Sequence, residues 1–201
     1  MDKDLKICFI GSGTISTALG NVIALKHKYE VFLLSVEQEV VDSISNDHVN
    51  RKYFPNIDLD KSLKATFDKS ILSECDIIFI GIPSNVVVSY ILENSQYISE
   101  DALIINLAKG FGDGQKIIPQ ALAKIIPNQI FSMKGPSFAR EIINNMPTAF
   151  TIASKRDRHF KLFETIFDKT SIHLDFSTDV TGVELASILK NIYAIIVGIV
   201  D

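Results

Sequence analysis

Short runs of apolar residues alternate along the chain with longer stretches in which apolar positions recur at helical spacing. This is the pattern of repeated β-α units: a strand covered by helices on both faces is apolar throughout, whereas a helix needs one apolar stripe. Residues 5–10 predict a first strand, followed by a glycine turn and a helix over 14–26. A second strand at 31–34 leads to a polar-faced helix at 37–44 and a loop closing at Tyr53-Phe54-Pro55. Residues 63–67, with β-branched Thr66, predict a third strand. The unbroken apolar run over 76–82 predicts a central strand, ended by Pro83. A helix over 85–93 and a fifth strand over 102–106 continue the alternation.

Beyond a helix at 115–125, strands are expected at 129–132, 149–153 and 171–174, with helices at 138–143 and 158–167 between them. The last segment differs. Residues 179–200 read as one long helix, apolar almost all round, with a lone Lys190. A helix of that kind must be covered by protein, so it is expected to open a second domain. The chain is accordingly divided into residues 1–178 and 179–201.

Composition narrows the function classes. The 201 residues are 47% apolar and 22% charged, which suits a buried core and excludes intrinsic disorder. With 20 Lys and Arg against 24 Asp and Glu, the net charge is -4, so the basic footprint of a general nucleic-acid binder is missing. Cys8 and Cys75 lie in apolar, strand-like runs and are expected as buried thiols, which fits a cytoplasmic protein. The four histidines show no ligand spacing, so no metal site is expected. The N-terminal apolar run is too short for a signal-peptide core. The longest apolar run, residues 192–200, is about half of what a bilayer requires, so no membrane insertion is expected.

Candidate chemistry sits at the ends of the predicted strands, where open α/β sheets bind ligands. Gly11-Ser12-Gly13-Thr14-Ile15-Ser16 joins the first strand to the first helix. In a dinucleotide site the first glycine makes the tight turn and the second admits the pyrophosphate, which meets the helix N-terminus. Ser16 stands where a third glycine would allow close helix–strand packing, and is expected to push the helix slightly away from the pyrophosphate. After the second strand, Glu37 reads either as an acceptor for a ribose hydroxyl or as an ordinary first-turn helix acid. No Arg or Lys follows that strand within ten residues, which favours NAD over NADP. Lys109 follows the fifth strand directly. Residues 134–141, KGPSFARE, form a stiff turn into a helix and present backbone N–H and hydroxyl groups to a polar substrate. Lys190 is expected to pay desolvation within its apolar helix, which lowers a lysine pKa and suits it to proton transfer, with Asn191 beside it and Glu184 two turns before.

Five segments taken together resemble the NAD(P)-dependent glycerol-3-phosphate dehydrogenases of bacterial type. They are IGSGTISTAL, the NRKYFP loop, LAKGF, KGPSFAREI followed by MPTAFTIAS, and GVELASILKNIYAIIVGIVD, spread from Lys6 to Asp201. The resemblance implies an α/β fold: a Rossmann-like, doubly wound, mainly parallel sheet followed by the first helix of an all-helical C-terminal domain. It implies that Lys190 exchanges the proton at the substrate C2 oxygen, and that Lys109 touches both cofactor and substrate. Gly135, Ser137 and Asn191 match substrate-binding positions. Gly11, Gly13, Thr14, Ile15, Val36, Tyr53 and Ala139 match cofactor-binding positions for NAD or NADP. The implied reaction is hydride transfer between NAD(P)H and dihydroxyacetone phosphate, giving sn-glycerol 3-phosphate for phospholipid synthesis. Ile15 and Val36 depart from the aromatic and the basic or polar residues usual there, so a 2′-phosphate lacks an evident partner. The family continues past residue 201 with the helical domain that completes its phosphate site; without it, a non-catalytic dinucleotide-binding protein is the alternative. A homodimer through the exposed final helix is also expected.

Overall fold

Alternation along the first strand decides the layering. In β1 (Lys6–Ile10), Ile7 and Phe9 join one apolar cluster while Cys8 and Ile10 join another, so both faces of the strand are buried. β4 (Ile77–Ile80) repeats this with Ile77 and Phe79 on one side and Ile78 and Ile80 on the other. Phe9 and Phe79 stack at 4.5 Å across the β1–β4 pair. The computed structural model describes residues 5–112, 114 and 116–200, with side chains described through Lys190 and at Tyr193.

β1, β2 (Glu30–Leu34), β3 (Leu63–Thr66), β4, β5 (Leu103–Asn106), β6 (Ile130–Lys134), β7 (Thr148–Ala153) and β8 (Ile172–Ser177) form one sheet in the order 3-2-1-4-5-6-7-8. Strands 1 to 6 run parallel; β7 is antiparallel to β6, and β8 is parallel to β7. This is a Rossmann-like doubly wound sheet, with its order reversing between β1 and β4. α1 (Thr14–Ala24), α5 (Ala139–Ile143) and α6 (Phe160–Phe167) contribute to the cluster around Phe9 and Phe131. α3 (Ser84–Asn94) and α4 (Ile118–Leu122) contribute to the cluster around Ile78 and Ile104. α2 (Gln38–Asp47) packs beside β3, and α7 (Val180–Val200) packs against β6 and β7.

Several boundaries differ from the sequence expectations for local reasons. The expected helix at 115–125 begins only at Ile118, because Ile117 is held in a β-bridge with Phe111 and Pro119 seeds the first helical turn; Gln115 lies outside the described residues. β6 runs two residues beyond 132, which makes Lys134 a strand residue and not part of the turn. β8 continues to Ser177 by pairing with the whole of β7. Cys8 and Cys75 are free, buried thiols. The hydrogen-bonding contact with Cys75, and then burial, push the Cys8 thiol well above its ordinary pKa.

Candidate active site

The reversal of strand order between β1 and β4 opens a crevice at their carboxyl ends, and a cleft of about 720 Å³ lies there. Gly11 makes its turn with φ +99°, a conformation that a side chain would strain. The Gly11 N–H donates to the Leu34 carbonyl, joining the turn to the end of β2. A Cβ added to Gly13 would meet no heavy atom within 4 Å, so the backbone there is open to close approach. No side chain among the described residues caps α1, and Thr14 and Ile15 at its start line the cleft, leaving amide donors and the positive end of the dipole to a ligand. A pyrophosphate fits this donor set.

Ser16 is fully buried and lies against Gly81, where β4 leaves the sheet. A Cβ on Gly81 would come within 2.0 Å of the Ser16 Oγ. The space that a third glycine would supply on the helix is therefore supplied on the facing strand end.

Beyond the glycine turn, the Ser12 and Ser35 hydroxyls bond at 2.7 Å, and buried Asn50 donates to the Ser12 carbonyl at 3.0 Å. Val36 is 85% exposed at the cleft margin. Glu37 is held from a distant loop: the Tyr53 hydroxyl donates to it at 2.9 Å, and Lys52 pairs with its other oxygen. These two donors, Lys52 foremost, hold the Glu37 carboxyl below its ordinary pKa, whereas burial and the nearby carboxylate raise Tyr53. A cation does reach the end of β2 from further along the chain: the 49–55 loop folds Lys52 back to it.

Lys109, Gly135, Ser137 and Ala139 also line the cleft. Burial and the positive charge of Lys190 lower the Lys109 pKa. Lys190 lies outside this cleft, in an adjoining cavity of about 290 Å³ that shares Lys134 and Gly135 with it. Its ammonium sits 5.1 Å from the centre of the Phe138 ring, and Phe138 lines the main cleft. Lys190 is half-buried, so the apolar enclosure expected around it is incomplete. The Asn191 side chain lies outside the described residues.

Full burial falls instead on Lys134, at 4% exposure, paired at 3.3 Å with Glu184, which is completely buried. Glu184 Oε1 also accepts from Asn106 at 2.9 Å and Ser132 at 2.5 Å, while its Oε2 has no partner among the described residues. Desolvation pushes the Lys134 pKa down to about 8 against the opposing pull of Glu184. Lys134 stands in the KGPSFARE motif with no role evident from its neighbours; its one sequence signal is the apolar run entering it, which extends the buried strand to that residue.

Residues 6–160 match the family described as NAD-dependent glycerol-3-phosphate dehydrogenase N-terminus. The chain belongs to this family. It is 32% identical over 98% of its length to a glycerol-3-phosphate dehydrogenase [NAD(P)+] of Leptospira biflexa, and covers 61% of that relative. A chloroplastic glycerol-3-phosphate dehydrogenase [NAD(+)] of Arabidopsis thaliana is 34% identical, with 49% of its length covered. The crystal structure of glycerol-3-phosphate dehydrogenase from Coxiella burnetii superposes with a TM-score of 0.89 at 30% identity, over 96% of this chain and 59% of that one. The chain thus spans roughly half to three-fifths of these relatives. Among the described residues no helix is long and apolar enough to cross a membrane, and no group of acidic, His and Cys side chains could hold a metal ion.

Proposed function

We propose that this chain is the dinucleotide-binding and lysine-bearing part of a glycerol-3-phosphate dehydrogenase, acting between NAD(P)H and dihydroxyacetone phosphate to give sn-glycerol 3-phosphate for phospholipid synthesis. The observation carrying this reading is the uncapped start of α1 at the strand-order reversal, with Gly13 and Lys109 lining the cleft and Lys190 in the adjoining cavity. The bound nicotinamide would supply or accept the hydride. Gly11, Gly13, Thr14 and Ile15 hold the pyrophosphate end, Val36 and Tyr53 border the adenosine end, and Ala139 and Lys109 border the nicotinamide end. Lys109, Gly135, Ser137 and Asn191 bind the substrate. Lys190 gives its proton to the C2 oxygen as negative charge develops there and takes it back in the reverse direction.

On this reading α7 is the first helix of a substrate-side helical domain, and residues 1–178 are the cofactor domain. The protein works in the cytoplasm on a small-molecule substrate. Leu185, Leu189 and Tyr193 expose an apolar stripe on α7 that suits self-association into a homodimer, a mass that light scattering would read directly. The function itself is tested by titrating NADH into the 201-residue chain calorimetrically and then assaying dihydroxyacetone phosphate reduction. Micromolar binding is expected, with any turnover abolished in Lys190→Ala. Turnover that survives Lys190→Ala removes the proton-transfer assignment. A cofactor-binding protein without catalysis is the second reading, and binding without turnover in the unsubstituted chain would select it.

A further inference from the structure

Beneath the cleft, four buried polar side chains from three elements meet at one carboxylate oxygen. Asn106 ends β5, Ser132 and Lys134 belong to β6, and Glu184 projects from α7. The Lys134 ammonium reaches further, donating to the carbonyl of Ala108, the residue before Lys109. Asn106 holds the same turn, its Oδ1 accepting the Ala108 N–H at 3.1 Å and its Nδ2 donating to the Ala108 carbonyl at 3.4 Å. Lys134 also lines both the main cleft and the cavity that contains Lys190. A buried ion pair is weak evidence for stability, because apolar residues of similar volume usually serve as well. This one is also incompletely satisfied among the described residues, where Glu184 Oε2 has no partner. Packing alone does not account for it.

We propose that Lys134 is a positioning residue: its ammonium, neutralised by Glu184, grips the Ala108 carbonyl and thereby ties the Lys109 turn to the helix that carries Lys190. The two lysines that face the reacting groups then keep a fixed separation although they lie on elements far apart in the chain. This deepens the proposed function, on which the cofactor arm of its test rests. The groups that bear on the Lys134 charge are Glu184 from α7 and Lys109 from the β5 turn, with Lys190 in the shared cavity. Once Lys134 loses its proton near pH 8, one positive charge disappears from the cleft floor.

Two measurements on the full chain test the proposal, with Lys134→Met and with the double variant Lys134→Met/Glu184→Leu, which leaves no lone buried charge if the single variant fails to fold. By hydrogen–deuterium exchange, amides of 107–111 and 180–190 should exchange together at least about tenfold faster in either variant, while those of β2 and α2 stay unchanged. NADH affinity of the unsubstituted chain should fall about fivefold between roughly pH 7 and pH 9, and the step should vanish with Lys134→Met. Unchanged exchange at 107–111 overturns the proposal, as does a pH step that persists in Lys134→Met and disappears in Lys109→Met. If the unsubstituted chain binds no NADH at any pH, the cofactor reading falls, and the exchange data still decide whether Lys134 sets the turn.

Discussion

Ser16 and Gly81 meet without a backbone between them, and each constrains what the other can be. Ser16 Oγ is buried without a hydrogen-bond partner among the described residues, so its hydroxyl costs desolvation without a compensating bond there. Ser16→Ala should therefore be neutral or stabilise by up to about 1 kcal/mol. Gly81→Ala places a methyl 2.0 Å from that oxygen and forces Ser16 from its rotamer, at a cost of about 1–3 kcal/mol. In a Ser16→Ala background most of that cost should disappear, because the alanine Cβ is 3.4 Å away, an ordinary contact. Urea denaturation of the four proteins checks this; equal costs in both backgrounds would show that the clash lies elsewhere. The glycine spacing was legible in the chain. The compensation by Gly81 was not, because it joins residues 65 positions apart through the β1–β4 pairing.

The loop between α2 and β3 illustrates how an element acts on a site without touching its centre. Residues 49–55 fold back so that Asn50, fully buried, donates to the Ser12 carbonyl and to the Thr17 hydroxyl, while its own oxygen accepts the Tyr53 N–H at 3.3 Å. One side chain thus fastens the glycine turn, the first turn of α1 and the residue that clamps Glu37. Asn50→Ala leaves these buried groups unpaired and should cost about 1–3 kcal/mol. It should also weaken NADH binding several-fold; unchanged affinity in a calorimetric titration would detach the loop from the cofactor reading. The aromatic close of this loop stands out in the sequence. Asn50 does not, since a polar residue in a polar loop gives no sign that it will be buried.

Across the whole molecule, the buried lysine makes stability depend on pH with a sign opposite to that of a paired surface lysine. The native state releases the Lys134 proton near pH 8, whereas the unfolded chain holds it to about 10.5. Between those values the unfolded state binds more protons, so this group's contribution to stability rises with pH. Measured against Lys134→Met, which cancels the other titrating groups, stability should gain about 2 kcal/mol between roughly pH 7 and pH 9.5. A difference that stays flat or falls over that window would mean that Glu184 holds the lysine charged. The Cys8 thiol, raised by its contact with Cys75 and by burial, acts in the other direction in both proteins.

What could be read from the chain and what could not divides along the range of the forces involved. Strand and helix order, the glycine turn after β1, the acidic end of β2 and the lysines after β5 and within α7 all follow from local periodicity and turn chemistry, which act over a few residues. The edge of the sheet did not follow: nothing within residues 148–177 shows that β7 must run antiparallel to β6, because that depends on which partner is free. Nor did the chemistry of the three lysines. Lys190 looked the most enclosed because its own helix is apolar, but a helix covers only its own stripe, and Lys190 is half-buried beside the Phe138 ring. Lys134 looked like a turn residue and is the one most removed from water, because α7 and the β5 turn close over it and bring Glu184 from fifty positions away. Burial is a property of the surroundings, and the surroundings exist only once the chain has folded.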